Sequence, residues 1–397
     1  MCYNSAVAIL PIINNTLRRK LMLYRNLKTI DYDVSLLGLG CMRFPLKEDD
    51  KVDEEQSISM IRRAIDCGVN YVDTAYTYHG GLSEVLVGKA MKDGYRDRTL
   101  IADKLPIWLV KEEADVRRLF DEQMERLDVD CIDMYLVHCI DGEGWETTKK
   151  CNVLPILEEL KAEGKIAHIG FSFHDEVSLF KEVIDAYDWE FCQIQLNYVD
   201  VNFQAGLEGL KYAGAKGIPV VIMEPLKGGR LTDAIPPAIQ EIWDEAPVQR
   251  PPVEWAFKWV SSLPEVSTIL SGMSSMEQLE QNLELFEKDD LPVLTDEEQA
   301  RIKRVADLYR SMIKYPCTEC RYCQPCPNGV LIPRIIRSYN DWLAFEHNPK
   351  LKEEYLTWLD DKEHASNCIK CGACEEHCPQ HLPVMQIMDE IVEAFGR

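Results

Sequence analysis

The chain has 397 residues and carries 44 Lys and Arg against 67 Asp and Glu, a formal net charge of −23. A polyanion would be repelled by that balance, so nucleic acid is excluded as the expected partner, and the acidity favours solubility or docking onto a basic surface. The length suits one large domain plus a small one.

Residues 1–21 fit neither of the patterns that follow and are expected to be an N-terminal extension. Their longest apolar stretch, Ala6 to Ile13, is too short to span a bilayer, and the basic cluster Arg18-Arg19-Lys20 follows it, the reverse of a secretory signal. No membrane partner and a cytoplasmic location are expected. From Met22 onward the pattern is one of repeated βα units. Strand-like runs occur at Leu36 to Gly40, Tyr71 to Thr74, Thr99 to Lys104, Cys131 to His138, Ala167 to Phe171, Phe191 to Leu196, Ile218 to Met223 and Val266 to Leu270. Amphipathic stretches separate them, such as Glu54 to Asp66, with Ile58, Ile61, Arg62 and Ile65 at helical spacing, and Glu112 to Leu127. Eight such units predict an α/β fold, a (β/α)8 TIM barrel, over residues 22–290. A doubly wound sheet is the structural alternative, but Leu37-Gly38-Leu39-Gly40 continues to Arg43-Phe44-Pro45 without a third glycine or a helix start.

The βα pattern stops after Phe286, and Lys288-Asp289-Asp290-Leu291-Pro292 marks a boundary. Thr295 with Glu298 three residues on forms a capping box, opening a connecting helix within 291–315. Two cysteine runs follow. Cys317, Cys320, Cys323 and Cys326 sit at x2 intervals and end in Pro327; Cys368, Cys371, Cys374 and Cys378 spell C-x2-C-x2-C-x3-C before Pro379. The second is the run that holds iron–sulfur cubanes in bacterial ferredoxins, so two [4Fe–4S] clusters are expected. Three closely spaced thiols reach three corners of one cubane, and the fourth must come from farther away. In ferredoxin-like pairs it comes from the other run, which gives Cys378 to the first cluster and Cys326 to the second. Structural zinc is the competing reading, but it usually takes two C-x2-4-C pairs across a longer spacer. The x2 spacing before Cys326 departs from the ferredoxin run. Between the runs, Trp342, Phe345, Leu351, Tyr355, Leu356 and Leu359 read as helix, so residues 316–397 are expected to form a mostly helical ferredoxin-like domain. The other seven of the fifteen cysteines are scattered, against a disulfide scaffold.

Barrel chemistry lies where strands end. Asp73, Lys104 and His138 close the second, third and fourth strand-like runs, and Tyr78 stands five residues beyond Asp73. Together with Gly81-Leu82-Ser83-Glu84, Gly88, Gly170-Phe171-Ser172, Gln193-Ile194-Gln195 and Ser271-Gly272-Met273-Ser274-Ser275 through Asn282, these segments resemble the aldo/keto reductase superfamily from about Met22 to Phe286. With the cysteine tail, the whole is similar to that superfamily's iron–sulfur-containing branch.

The resemblance implies a nicotinamide-dependent oxidoreductase that reduces a carbonyl or oxidises the alcohol, with Asp73, Tyr78, Lys104 and His138 as its catalytic tetrad. Tyr78 would donate a proton to the carbonyl oxygen, Lys104 held by Asp73 would lower the tyrosine's pKa, and His138 would orient the substrate. The implied cofactor is NADP(H) or NAD(H). Ser172 and Gln193 would bind the carboxamide, Met223 would cover the nicotinamide where the family often has Tyr, and Asn282 would contact adenine. Gly272 and Gln278 stand where NADP-preferring members carry cations, and Ser274 could serve either nucleotide. Phe173 replaces the family's common Asn. Trp108 is a candidate wall of the substrate pocket. The clusters would transfer electrons or act structurally, and they admit a ferredoxin or flavoprotein as electron partner. The alternative is an electron-transfer or redox-sensing protein on a nucleotide-binding barrel without carbonyl turnover.

Overall fold

The computed structural model describes residues 22–49, 51–232, 235–315, 317, 323–345, 347–378 and 381–397. The expected extension 1–21 and the expected cluster ligand Cys320 lie outside the described residues.

A short hairpin comes first. Strands β1 (Tyr24–Leu27) and β2 (Tyr32–Ser35) pair antiparallel. Eight parallel strands then close a barrel: β3 (Leu37–Gly40), β4 (Tyr71–Asp73), β5 (Leu100–Pro106), β6 (Ile132–Ile140), β7 (Ile166–Phe173), β8 (Phe191–Gln195), β9 (Val220–Met223) and β10 (Val266–Ser271). They run in sequence order, with β10 beside β3. Each expected strand is present to within about two residues, because each is an apolar run bounded by turn residues. Leu27 and Val34 of the hairpin pack with Tyr71 and Leu100, the first residues of β4 and β5, so the hairpin stops the amino-terminal end of the barrel. The carboxyl ends of the strands are left to carry chemistry.

The helices between strands form as their patterns dictate. Helix Glu54–Asp66 buries Met60, Ile61, Ala64 and Ile65, and the Asp53 side chain caps it by accepting from Gln56 N. Helix Glu113–Leu127 opens on a capping box between Glu112 and Asp115 and buries Val116, Leu119, Phe120 and Gln123. Helix Leu82–Ala90 lies close to it at Gly88, where a Cβ would stand 2.2 Å from the Leu127 carbonyl oxygen.

The described chain divides into two compact units. One comprises residues 22–225 and 256–294, with the hairpin and barrel. The other comprises 226–255 and 295–397, which joins the segment after β9 to the cysteine-bearing tail. In this second unit, helix Asp296–Ser311 has the capping box of Thr295 and Glu298, and helices Ile332–Ala344, Pro349–Trp358 and Val384–Phe395 build a core from Ile335, Ile336, Tyr355, Ile387, Met388 and Ile391. Arg230 reaches Glu354 at 2.6 Å and Asp341 at 3.3 Å, tying the 226–255 segment to those helices. Among the described residues no helix is long and apolar enough to cross a membrane.

Candidate functional site

At the carboxyl ends of β4, β5 and β6, Asp73, Lys104 and His138 come together with Tyr78 from the loop after β4. Lys104 is fully buried; its ammonium donates to Asp73 Oδ1 at 2.7 Å and to the Thr74 carbonyl at 2.7 Å. Burial alone would strip the lysine of its charge, but the Asp73 carboxylate and the Tyr78 oxygen outweigh it and hold the ammonium above its ordinary value. The Lys104 Nζ stands 5.0 Å from the centre of the Tyr78 ring. The Tyr78 and His138 rings meet edge-on, 6.2 Å between centroids at 81°.

The tyrosine behaves otherwise than its cationic neighbour alone dictates. Burial raises the Tyr78 hydroxyl above its ordinary value, and the opposing pull of Lys104 does not cancel it. Lys104 pulls in the lowering direction that the resemblance implies, but with these protein groups alone burial is the larger cause and the net direction is up. Burial, with Lys104 and His174 adding to it, pushes His138 well below its usual range. A neutral imidazole both accepts and donates, and among the described residues His138 Nδ1 has no hydrogen-bond partner.

The loop that delivers Tyr78 is shaped by residues the motif reading passed over. His79 has φ 50°, followed by Gly80 at 64° and Gly81 at 92°, all left-handed. His79 Nε2 accepts from Phe44 N at 3.1 Å, and the two rings stack at 5.5 Å, fixing this loop to the one after β3. Trp108 stands half exposed with its ring 5.1 Å from that of His138, an aromatic wall beside the imidazole. Cys139, at φ 60°, donates its backbone N–H to Ser172 Oγ at 2.8 Å. Cys41 is fully buried, and burial with Asp73 drives its thiol well up, so it is inert beside the site.

Ser172 and Gln193 are directly paired in register on β7 and β8. The Gln193 Nε2 donates to Met223 Sδ at 3.6 Å, which brings Met223 to the same rim; Gln193 Oε1 is buried with no partner among the described residues, an acceptor open to an amide donor. The adenosine-end candidates cluster at the helix after β10, Met276–Phe286. Its N-cap Ser275 accepts from Gln278 N, Ser274 N donates to Gln278 Oε1 at 2.9 Å, and the amide nitrogen of buried Asn282 donates to Ser271 Oγ at 3.0 Å. No cation stands at 272 or 278, but the Arg43 side chain lies against Gly272, its Cδ 3.4 Å from where a Cβ would be.

In the second unit, a cavity of about 500 Å³ is lined by Cys368, Cys371 and Cys374 from one run and by Cys323 and Cys326 from the other. Asn328 donates to the Asn367 carbonyl at 2.6 Å, drawing the two cysteine loops together. Cys374 is pushed up to about 11 by burial, with the neighbouring Cys368 adding to it, as expected of thiols crowded on one site. Among the described residues no three His, Cys, Asp or Glu side chains converge as they would on a single ion. A ring of thiols around a cavity suits a cubane, whose ligands are spread around its corners. Cys317 and Cys378 pack against the same core as Cys323, Cys326, Cys368 and Cys374.

Residues 36–307 match the Aldo/keto reductase family, and residues 316–382 match a 4Fe-4S dicluster domain. The chain is 31% identical over 267 residues to L-galactose dehydrogenase of Arabidopsis thaliana, covering 62% of this chain and 80% of the relative. It is 26% identical over 307 residues to the NADH-specific methylglyoxal reductase of Escherichia coli (strain K12), covering 65% and 91%. Among solved structures, an aldo-keto reductase from Bacillus halodurans in its holo form is similar with a TM-score of 0.60 at 27% identity, covering 72% of this chain and 96% of that one. An aldo/keto reductase from Klebsiella pneumoniae in complex with NADP and acetate gives 0.55 at 26% identity, covering 70% and 93%.

Proposed function

Because the chain belongs to the aldo/keto reductase family, we propose that it reduces a small carbonyl compound, or oxidises the corresponding alcohol, with NADH or NADPH at the end of the barrel that carries Asp73, Tyr78, Lys104 and His138. It is an aldo/keto reductase-type oxidoreductase with a 4Fe-4S dicluster domain. The observation that carries the reading is the buried ion pair of Lys104 and Asp73, with the Lys104 ammonium 5.0 Å from the centre of the Tyr78 ring.

Bound, the nicotinamide supplies a hydride to the carbonyl carbon. The charge that then develops on oxygen needs a proton and donors. Tyr78 gives its hydroxyl proton to that oxygen, and the resulting phenolate is held by the Lys104 ammonium, whose own charge is kept by Asp73. His138 stays neutral and donates a second hydrogen bond that orients the carbonyl. Ser172 and Gln193 hold the carboxamide, Gln193 through its unpartnered Oε1. Met223 covers the ring by soft packing, and Gly272, Ser274, Gln278 and Asn282 border the adenosine end.

In the tail, Cys317, Cys320, Cys323 and Cys378 would hold one [4Fe–4S] cluster, and Cys368, Cys371, Cys374 and Cys326 the other. The cavity that takes Cys368, Cys371 and Cys374 is also lined by Cys323 and Cys326 but not by Cys378, which favours a fourth ligand from the first run for the second cluster. Each cluster supplies a one-electron site or a covalent staple for its loops. Cys371 is exposed, which suits electron exchange with a ferredoxin or flavoprotein.

The test is turnover by Tyr78→Phe with either nicotinamide and a panel of small aldehydes and dicarbonyls. Loss of the general acid lowers kcat by roughly 10²–10⁴-fold while nucleotide binding persists. Unchanged turnover would refute the assignment.

A further inference from the structure

Successive side chains of a strand point to opposite faces, so Asp103 lies on the face of β5 opposite Lys104, toward helices Leu82–Ala90 and Glu113–Leu127. Asp103 and Glu84 are both completely buried there, within hydrogen-bonding reach of each other. Asp103 Oδ1 accepts from Lys104 N at 2.8 Å, whereas among the described residues nothing donates to Oδ2. Glu84 is fully engaged: Oε1 accepts from Gln123 Nε2 at 3.2 Å, and Oε2 from Arg126 Nη1 at 2.7 Å.

The same two donors grip the backbone of the candidate site. Gln123 Nε2 donates to the Lys104 carbonyl at 3.0 Å, and its Oε1 accepts from Tyr135 at 2.5 Å. Arg126 donates to the Tyr76 carbonyl at 3.2 Å and lies 4.2 Å over the Tyr76 ring, two residues before Tyr78. Among the described residues Arg126 is the guanidinium on this pair, and it is bonded to Glu84, while the Lys104 ammonium is paired with Asp73 on the other face. Two adjacent carboxylates in a dry site repel, and an acceptor without a donor costs free energy. One proton removes both penalties if it sits on the oxygen that lacks a donor.

We propose that Asp103 is a positioning residue that stays a neutral carboxylic acid and donates a hydrogen bond to Glu84, locking the Gln123–Arg126 scaffold that holds Lys104 and the segment leading to Tyr78. The charged and titratable groups facing it are Glu84 and Arg126 from the two helices, Tyr135 from β6 and Lys104 from β5. Burial, with Glu84 adding to it, drives the Asp103 carboxyl well above the usual range, and Lys104 only partly opposes this. The positioning role rests on the reading of Lys104 and Tyr78 given above; the carboxyl proton does not.

The experiment is infrared spectroscopy of the full-length, cluster-loaded protein at neutral pH, followed by kinetics. The C=O stretch of a protonated carboxylic acid is expected in the native protein and in Tyr78→Phe, absent from Asp103→Asn, and lost or displaced in Glu84→Gln. No such band in the native protein overturns the proposal. In kinetics, Asp103→Asn keeps a donor toward Glu84 and should hold kcat within about threefold of native, while Asp103→Leu should lose about tenfold in kcat with KM nearly unchanged. Equal kcat in the two variants would overturn the positioning role even with the band present. Should Asp103→Leu fail to fold, Glu84→Gln carries the same kinetic comparison. Full turnover by Tyr78→Phe would instead refute the tetrad reading and leave the infrared result standing.

Discussion

Lys104 has no route to water, and its charge survives because Asp73 meets it at 2.7 Å. Removing one partner of such a pair strands the other, at a cost of about 3–5 kcal/mol. Lys104→Met should therefore lower stability by about that amount in urea unfolding, while Lys104→Met with Asp73→Leu should recover most of it yet remain without turnover. Recovery of turnover in the double variant would contradict the assigned role. At His138, burial and the neighbouring Lys104 keep the imidazole neutral below the ordinary value. A lowered histidine pKa means protonation is delayed as pH falls, so kcat for reduction should show no descending limb near pH 6.5, the unperturbed value; a limb there that His138→Gln abolishes would contradict this. Asp73, Lys104, His138 and Tyr78 were legible in the sequence because strand-end polarity and one family motif mark them. Three others were not. His79 looks like any loop residue until its left-handed backbone and its bond from Phe44 are seen. Asp103 is hidden by adjacency to Lys104, since only the pleat sends the two side chains to opposite faces. Cys139 matters through its backbone N–H, on which side-chain chemistry is silent.

Elements explain why these residues meet. β4, β5 and β6 are neighbours in the barrel, and their carboxyl ends share one rim. The two helices behind them are brought together at Gly88, where any side chain would run into the Leu127 carbonyl. Gly88→Ala should push them apart, lowering stability by roughly 1–3 kcal/mol and loosening the bond between Glu84 and Arg126; an unchanged Tm would contradict the close approach. The strands, the helix Glu54–Asp66 and the capping box at Thr295 could be read because each carries a periodic or local signal. The hairpin could not, since Tyr24-Arg25-Asn26-Leu27 and Tyr32-Asp33-Val34-Ser35 are largely polar and lack the apolar run that marks the barrel strands. The segment 226–255 was read as part of the barrel repeat. Its grouping with the tail involves distant pairs such as Arg230 with Asp341 and Glu354, and Arg301 with the Ile242 carbonyl, which sequence does not announce.

For the whole molecule, the cysteine runs were the clearest text in the sequence, because the spacing of thiols around a cubane is dictated by the cluster itself. Which thiol completes which cluster depends on how two distant loops fold together. If Cys326 crosses to the second run, Cys326→Ala should weaken or remove one cluster, with bound iron falling from about eight toward about four per chain and the remaining EPR signal retained. Retention of both clusters would contradict the crossing. Hydride transfer at the barrel is read from the fate of an isotope. Nicotinamide cofactor deuterated at C4 is incubated anaerobically with the protein and a small carbonyl compound, and the product is analysed by mass spectrometry. One deuterium is expected on the carbinol carbon of the product, which Tyr78→Phe should form at least about a hundredfold more slowly. Reduced product carrying only solvent hydrogen at that carbon, or no product from any carbonyl tried, would contradict hydride transfer.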